Sequence, residues 1–570
     1  MSTTASPDTT AADTTVDVVV IGSGTGLAAA LAAHEKGLDV LVVEKTEYVG
    51  GSTARSGGAF WIPANPVLQA DVPEDTRAIA ATYLDAVVGE SAPKERRAAY
   101  LDNGAEAVAM IERTTPLEFF WAKGYSDYHP EKPGGSAVGR TCESTPFDLA
   151  QLGEERARFR PGLMASSLPM PVTGADYKWL NLVMRTPAKS LPRAIKALAK
   201  GLGGKLRGRE YTAGGQALAA GLFAGVIRAG IPVWTETSLT DLVEEDGRIT
   251  GAVLRRGGVD VTVAARKGVV LAAGGFDHDM AMRHKYQSES LGDNESLGAE
   301  GNTGDAIVLG ERYGAAVAGM DRSWWFPAVA PVPGGAPSVL LAERALPGSL
   351  VVDSSGSRFV NEASDYMSFG QKILAREQAG DPVGSMWLVF DQRYRDSYIL
   401  AGGLFPRQPL PKSWYANGIA HRADDAASLA RSMGVSEKTF TETLARFDAQ
   451  AAAGVDHDFD RGGSAYDRYY GDPTIGPNPN LRPLSGQLYA VKMVLSDLGT
   501  CGGLVADDRA RVLREDGSAI AGLYAIGNTA ANAFGDKYPG AGATIGQGLV
   551  YGYIAAQDLA RQDLGVPSGG

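Results

Sequence analysis

The sequence predicts an α/β fold: a Rossmann-like dinucleotide-binding domain interrupted by an inserted α+β domain. Three observations carry this reading. Near the start, Asp17-Val-Val-Val-Ile-Gly22-Ser23-Gly24-Thr25-Gly26-Leu27 runs a hydrophobic strand into a glycine turn and an alanine-rich helix. A second apolar run then ends at Glu44, 22 residues after Gly22. Near the far end, Gly522-Leu-Tyr-Ala-Ile-Gly527-Asn528 reads as a short strand closing on Gly-Asn. If both ends touch one cofactor, the stretch between them is inserted into the dinucleotide fold.

Taken in order, Val16–Ile21 is a buried strand, Leu27–Glu35 a helix and Leu38–Val43 a second strand, together a βαβ unit. Three glycines let the backbone approach a pyrophosphate, and the helix N-terminus offers N–H donors and a positive dipole end. Ser23, Thr25 and Leu27 sit within that turn. The Glu44 carboxylate, followed by Lys45, is placed to accept hydrogen bonds from ribose hydroxyls. The third glycine comes one residue early, at Gly26, with Leu27 in the position a glycine usually holds. Next, Gly50-Gly51-Ser52-Thr53-Ala54-Arg55-Ser56-Gly57-Gly58 is dense in small residues and hydroxyls. Such a stretch suits a backbone lying against a diphosphate and a flat ring. The segment 231–253 alternates strand and turn, with Asp246-Gly247 closing a hairpin, and Val243 within it is assigned to the cofactor. Gly268 to Gly275 is another buried strand, ending in Ala273-Gly274-Gly275.

From about 321 to 500 the chain changes character, with Trp324, Trp325, Trp387, Trp414 and many prolines. This is assigned as a second domain. The first domain comprises 15–320 and 501–570, and ends on a helix over roughly 546–561, just after Thr544 and Ile545. Residues 1–14 read as a disordered Ser/Thr/Ala tail rather than a signal peptide.

The chain has 570 residues, enough for two or three domains, and 44% apolar content, as expected of a globular enzyme. A net charge of −12 argues against nucleic acid as partner. Two cysteines, Cys142 and Cys501, make no disulfide framework and no metal cluster, so a reducing cytoplasm is expected. No apolar run is long enough to span a membrane.

The glycine turn, the Gly-Gly-Ser-Thr stretch, Asn302-Thr-Gly-Asp305 and Gly527-Asn528 together resemble the fumarate reductase-type flavoproteins. Within them, Ser56-Gly-Gly-Ala-Phe-Trp-Ile-Pro63, Ser464-Ala-Tyr-Asp-Arg-Tyr-Tyr-Gly-Asp-Pro473, Ser496-Asp-Leu-Gly-Thr500 and Tyr538-Pro-Gly-Ala-Gly542 look like the 3-ketosteroid Δ1-dehydrogenases. The resemblance implies a glutathione reductase-type FAD-binding domain, a 3-ketosteroid substrate and a quinone-type electron acceptor. It implies FAD held non-covalently, and none of the six histidines stands near the Gly-Gly stretch, where related enzymes attach flavin. It assigns Tyr538 and the Gly542 N–H to the steroid C3 oxygen, Tyr366 as the base and Tyr128 as its partner, with Tyr125 a competitor. Tyr466, Tyr469 and Tyr470 are read as structural. Related alternatives are a 4(5)-dehydrogenase of the same steroids, a fumarate reductase-type enzyme, and an electron-transfer flavoprotein subunit.

One segment stands apart. Residues 177–209 carry nine basic side chains and no acidic one, against a net −12 chain. Leu191, Ala194, Ile195, Leu198 and Leu202 recur at helical spacing. A basic amphipathic helix of this kind is expected to dock peripherally on an anionic membrane.

Overall fold

The computed structural model describes residues 14–163, 169–293 and 295–562. The expected tail lies outside these residues except for Thr14, which the structure gives to the first strand instead.

Strand β1 (Thr14–Ile21) pairs in parallel with β2 (Val40–Val43) on one side and with the strand Val259–Leu271 on the other. A strand covered on both faces reads as a continuous apolar run, and Val18, Val19 and Val20 are indeed fully buried. Helix α1 (Gly26–Glu35) crosses between β1 and β2. The C-terminal strand Ala519–Ala525 returns to the same sheet, parallel to Val259–Leu271 at Leu523, Tyr524 and Ala525. That pairing brings the two ends of the chain together in one eight-stranded sheet. Asp246 and Gly247, at φ of 49° and 77°, close the hairpin between Thr237–Glu245 and Arg248–Arg256. Two successive positive φ values match the twist of the flanking strands.

The second domain is built on a six-stranded antiparallel sheet. Its long central strand, Leu488–Thr500, pairs with Ser323–Val329, Met386–Asp391 and Ala420–Ala423. Every residue of Ser323–Val329 is buried: helix Tyr366–Gln378 packs on the strand, and its Trp324 reaches Asn528 near the end of the chain. The last helix starts at Ala543 rather than Gly546, since Gly542 is its N-cap.

The basic segment is two helices rather than one, Gly174–Asn181 and Pro187–Lys205. Arg185, between them, is tied to Asp472 at 2.7 Å. The second helix turns Leu191 and Ile195 to solvent at 50% and 65% exposure. Among the described residues, no helix is long and apolar enough to cross a membrane.

Candidate active site

A cavity opens at the carboxyl ends of β1 and β2, where ligands bind in open α/β sheets. Gly22, Ser23, Gly24, Glu44, Lys45, Gly51, Ser52, Thr53, Ala273 and Gly274 line it, as the sequence predicts. Gly22 has φ of 108°, and a Cβ there would sit 2.2 Å from the Ala272 carbonyl oxygen. Gly26 serves a different purpose. It faces Val20 and Ala272, so the early third glycine seats α1 against the sheet. Glu44 already accepts the Ser23 hydroxyl at 2.6 Å and the Thr46 hydroxyl at 2.8 Å. The Ser23 and Thr46 backbone N–H groups donate to it as well, at 3.3 and 2.9 Å, so all four acceptor positions are met and a ribose hydroxyl would take the place of one of these donors.

Val243 does not belong to this cavity. Thr237 and Leu239, nearer the start of the same strand, line it instead. Arg160 is the residue that sequence reasoning missed. It lines the cavity, donates to Thr46 Oγ1 at 2.8 Å and to Glu300 at 2.9 Å, and keeps a buried Nε without a partner among the described residues. A guanidinium with a donor to spare suits an anionic cofactor. No motif surrounds it that could have flagged it.

Other predicted residues lie beyond the cavity. Ser56 bonds Gly58 N–H and Thr53 carbonyl, holding the Gly57-Gly58 turn. A Cβ on Gly527 would lie 3.1 Å from Thr25 Oγ1, so those two segments meet. Thr544 and Trp324 both donate to the Asn528 amide oxygen, at 3.4 and 3.0 Å. Leu27 and Ile545 are buried in the core, and Gly275 packs against Thr500.

Across the domain boundary four tyrosines converge from four remote segments. Tyr128 bonds Tyr366 hydroxyl to hydroxyl at 2.8 Å. The Tyr538 ring stands 5.1 Å from Tyr128 and 5.5 Å from Tyr366. Tyr125 does not reach Tyr366; its hydroxyl accepts from Tyr470 at 2.7 Å. Tyr466 packs on Tyr128 at 4.7 Å and Tyr469 stacks on Tyr125 at 4.6 Å. Tyr466, Tyr469 and Tyr470 thus pack on the cluster, as do Trp324 against Tyr538 at 4.8 Å and Phe326 against Tyr366 at 4.6 Å.

Local sequence explains each position. Tyr366 opens a helix capped by Asp365, whose carboxylate accepts the Ser368 N–H at 2.9 Å. Tyr128 is fixed through its neighbour Asp127, which is ion-paired to Arg140 and accepts Trp61 Nε1 at 2.8 Å. Its own N–H donates to the Pro539 carbonyl at 3.1 Å, tying it to the Tyr538 loop. Gly542 has φ of 91°, and a Cβ would lie 2.2 Å from the Ala59 carbonyl oxygen, so no side chain fits. The Gly542 N–H lies near enough to the Tyr538 hydroxyl to act against the rise that burial gives its pKa. Burial pushes Tyr128 and Tyr366 well above the ordinary phenol range, and Tyr538 up as well.

Together these features define an FAD-dependent oxidoreductase: residues 17–545 match the FAD binding domain family. The chain is 45% identical to a 3-oxosteroid 1-dehydrogenase of Mycolicibacterium smegmatis, over 95% of this chain and 97% of that one. It is 35% identical to a 4-oxocyclohex-2-ene-1-carboxylate 5-dehydrogenase of Sinomonas cyclohexanicum, covering 96% and 94%. Among solved structures, the Sterolibacterium denitrificans 3-ketosteroid Δ1-dehydrogenase in complex with 1,4-androstadiene-3,17-dione superposes with a TM-score of 0.90. It is 37% identical, over 96% of this chain and 99% of that one. The chain belongs to the 3-oxosteroid 1-dehydrogenase family of flavoenzymes.

Proposed function

We propose that this chain desaturates the C1–C2 bond of 3-ketosteroids, with Tyr366 as base and Tyr538 with Gly542 as the oxyanion hole. The observation that carries it is the 2.8 Å Tyr128–Tyr366 hydroxyl pair, with the Tyr366 and Tyr538 ring centroids 5.5 Å apart. Held against Tyr538 and the Gly542 N–H, a C3 carbonyl gains enolate character, which acidifies C2. Tyr366 then removes the C2 proton, and Tyr128 donates to the Tyr366 oxygen. FAD, when bound, accepts the hydride that leaves C1. Aromatic walls from Trp324, Phe326 and Tyr466 suit an apolar ring system. A quinone-type acceptor is the expected oxidant of the reduced enzyme.

The test is anaerobic mixing with androst-4-ene-3,17-dione. Flavin bleaching with appearance of the 1,4-diene supports the assignment. A 4-oxocyclohexenecarboxylate that bleaches the flavin faster than the steroid would assign the pocket to the smaller ring.

The basic segment adds a second proposal, peripheral docking on an anionic bilayer. Leu191, Ile195, Leu202 and Leu206 are all exposed, and Lys189, Lys196, Lys200 and Lys205 have no carboxylate partner among the described residues. Apolar insertion with basic flanks is how such helices hold to anionic lipid. Sedimentation with anionic vesicles should carry down the intact chain and not a 187–205 deletion. Equal behaviour of the two would remove the proposal.

A further inference from the structure

Residues 297–304 run along the cofactor cavity as a strap outside any helix or strand. Ala299, Gly301 and Asn302 line the cavity, while the Glu300 side chain turns out to solvent at 65% exposure. The strap is tied on two sides. On one, Ser52 Oγ accepts the Ala299 N–H and the Asn302 side-chain amide, each at 2.9 Å. On the other, Lys45 donates to Thr303 Oγ1 at 2.6 Å and pairs with Asp305, just past the strap, at 2.6 Å. Between these ties Gly301 passes close to Thr46, whose Cγ2 would lie 3.0 Å from a Cβ there. A segment with no ladder of its own has little local stability, so its position depends on side-chain ties.

The outermost tie is one carboxylate shared by two arginines. Glu300 Oε1 is paired with Arg55, and Oε2 accepts Arg160 Nη1 at 2.9 Å. The arginines belong to different segments, and Gln216 joins those segments from beneath. Its side-chain amide donates to the Ala54 and Arg160 carbonyls, each at 2.9 Å. The Arg55 and Arg160 side chains are nearly buried, and each keeps a buried Nε with no acceptor among the described residues. Arg160 is further held by Thr46 Oγ1 at 2.8 Å. An ion pair between two mobile surface side chains contributes little, because both must be immobilised. Here the guanidiniums are already in place, and only Glu300 has freedom to lose. Burial pushes its carboxyl up, but its backbone surroundings and the two guanidiniums outweigh that and hold it below the ordinary range. It is therefore charged at neutral pH.

We propose that Glu300 is a latch: by bridging Arg55 and Arg160 it holds the strap closed along the cavity and limits the rate at which FAD leaves. This goes beyond the desaturation reading and requires only the cofactor. Glu300 touches neither substrate nor reacting atoms. It is a positioning residue that acts through its neighbours Ala299 and Gly301. Opening the latch breaks both ion pairs at one residue and leaves the strap on its Ser52 and Lys45 ties alone.

The experiment measures FAD release from the holoenzyme, without steroid, as recovery of flavin fluorescence after dilution. It is run from about 0.01 to about 1 M sodium chloride, over which the screening length falls from about 30 to about 3 Å. Release from the wild-type protein should quicken with salt, because the latch carboxylate is exposed. Glu300→Gln should release FAD roughly 5- to 20-fold faster at low salt and lose most of the salt dependence, so that the two proteins converge at high salt. Glu300→Asp keeps the charge on a shorter arm and should fall between them, a rescue that loss of packing alone would not give. Arg55→Gln removes half of the clamp and leaves Arg160 at the cavity. Combined with Glu300→Gln it should add little, as for two members of one interaction. Far-UV circular dichroism and flavin stoichiometry of each holoenzyme check the fold.

Release from Glu300→Gln within twofold of wild type at low salt overturns the proposal. So does an unchanged salt dependence. Slower release from Glu300→Gln overturns it as well, since the two arginines would then serve the cofactor better without Glu300. A wild-type enzyme that forms no diene from the steroid sinks the function reading and leaves this test as it stands.

Discussion

The cofactor cradle and the tyrosine cluster are built from opposite materials. The cradle leans on main chain: five glycines, among them Gly22, Gly24 and Gly51, line it beside polar side chains such as Glu44, Thr53 and Arg160. The cluster is almost all side chain, with rings from 128, 366, 466 and 538 locked edge to tilt and only Gly542 contributing backbone. A backbone site fails when a side chain is added. A side-chain site fails when one atom is taken away. The two regions should therefore respond to different substitutions, with different signatures.

The largest effect should come from adding a methyl to the cradle. Gly22→Ala drives a Cβ onto the Ala272 carbonyl at a φ that disfavours side chains, so the purified variant should lack flavin and activity together. A yellow, active variant would break the contrast. Next is Tyr366→Phe, which removes one oxygen and leaves the cradle alone. Turnover should fall about 10²- to 10⁴-fold, the usual contribution of a positioned base, with an unchanged flavin spectrum. Activity above about a tenth of wild type would reassign the base. Tyr128→Phe should be milder, roughly 10-fold, because it removes a hydrogen bond to the base rather than the base itself.

A smaller effect joins the two regions. Trp324→Phe deletes the 3.0 Å bond to Asn528 and should cost about 1 kcal/mol, read as a shift in denaturant midpoint. The smallest concerns pH. Burial raises the folded Glu143 carboxyl to about 7 from its ordinary 4.5. The folded state thus binds this proton more tightly than the unfolded chain. That stabilisation is complete below about 4.5 and is lost as pH rises through about 7. Glu143→Gln lacks this loss, so its Tm relative to wild type should be higher at pH 8 than at pH 5.

The contrast also explains what the sequence made legible. A backbone cradle is written in contiguous residues, so Gly22 to Leu27, Glu44 and the Gly51 to Gly58 run could be read as one object. Strand Val16–Ile21 followed from its apolar run, and the hairpin from Asp246-Gly247. A side-chain cluster is written in scattered residues, and tyrosine is common, 21 in this chain. Tyr128, Tyr366 and Tyr538 were reachable only through a resemblance that spans the chain. Tyr470, bonded to Tyr125, looked like any packed aromatic. Arg160 sits outside every motif.

The most direct measurement is the anaerobic reaction of the holoenzyme with androst-4-ene-3,17-dione, recording flavin absorbance and the product in one mixture. The account predicts a bleached flavin and one equivalent of the 1,4-diene, with Tyr366→Phe binding the steroid but failing to bleach. A flavin that stays oxidised in the wild-type protein, or a product desaturated elsewhere in the ring system, would contradict it.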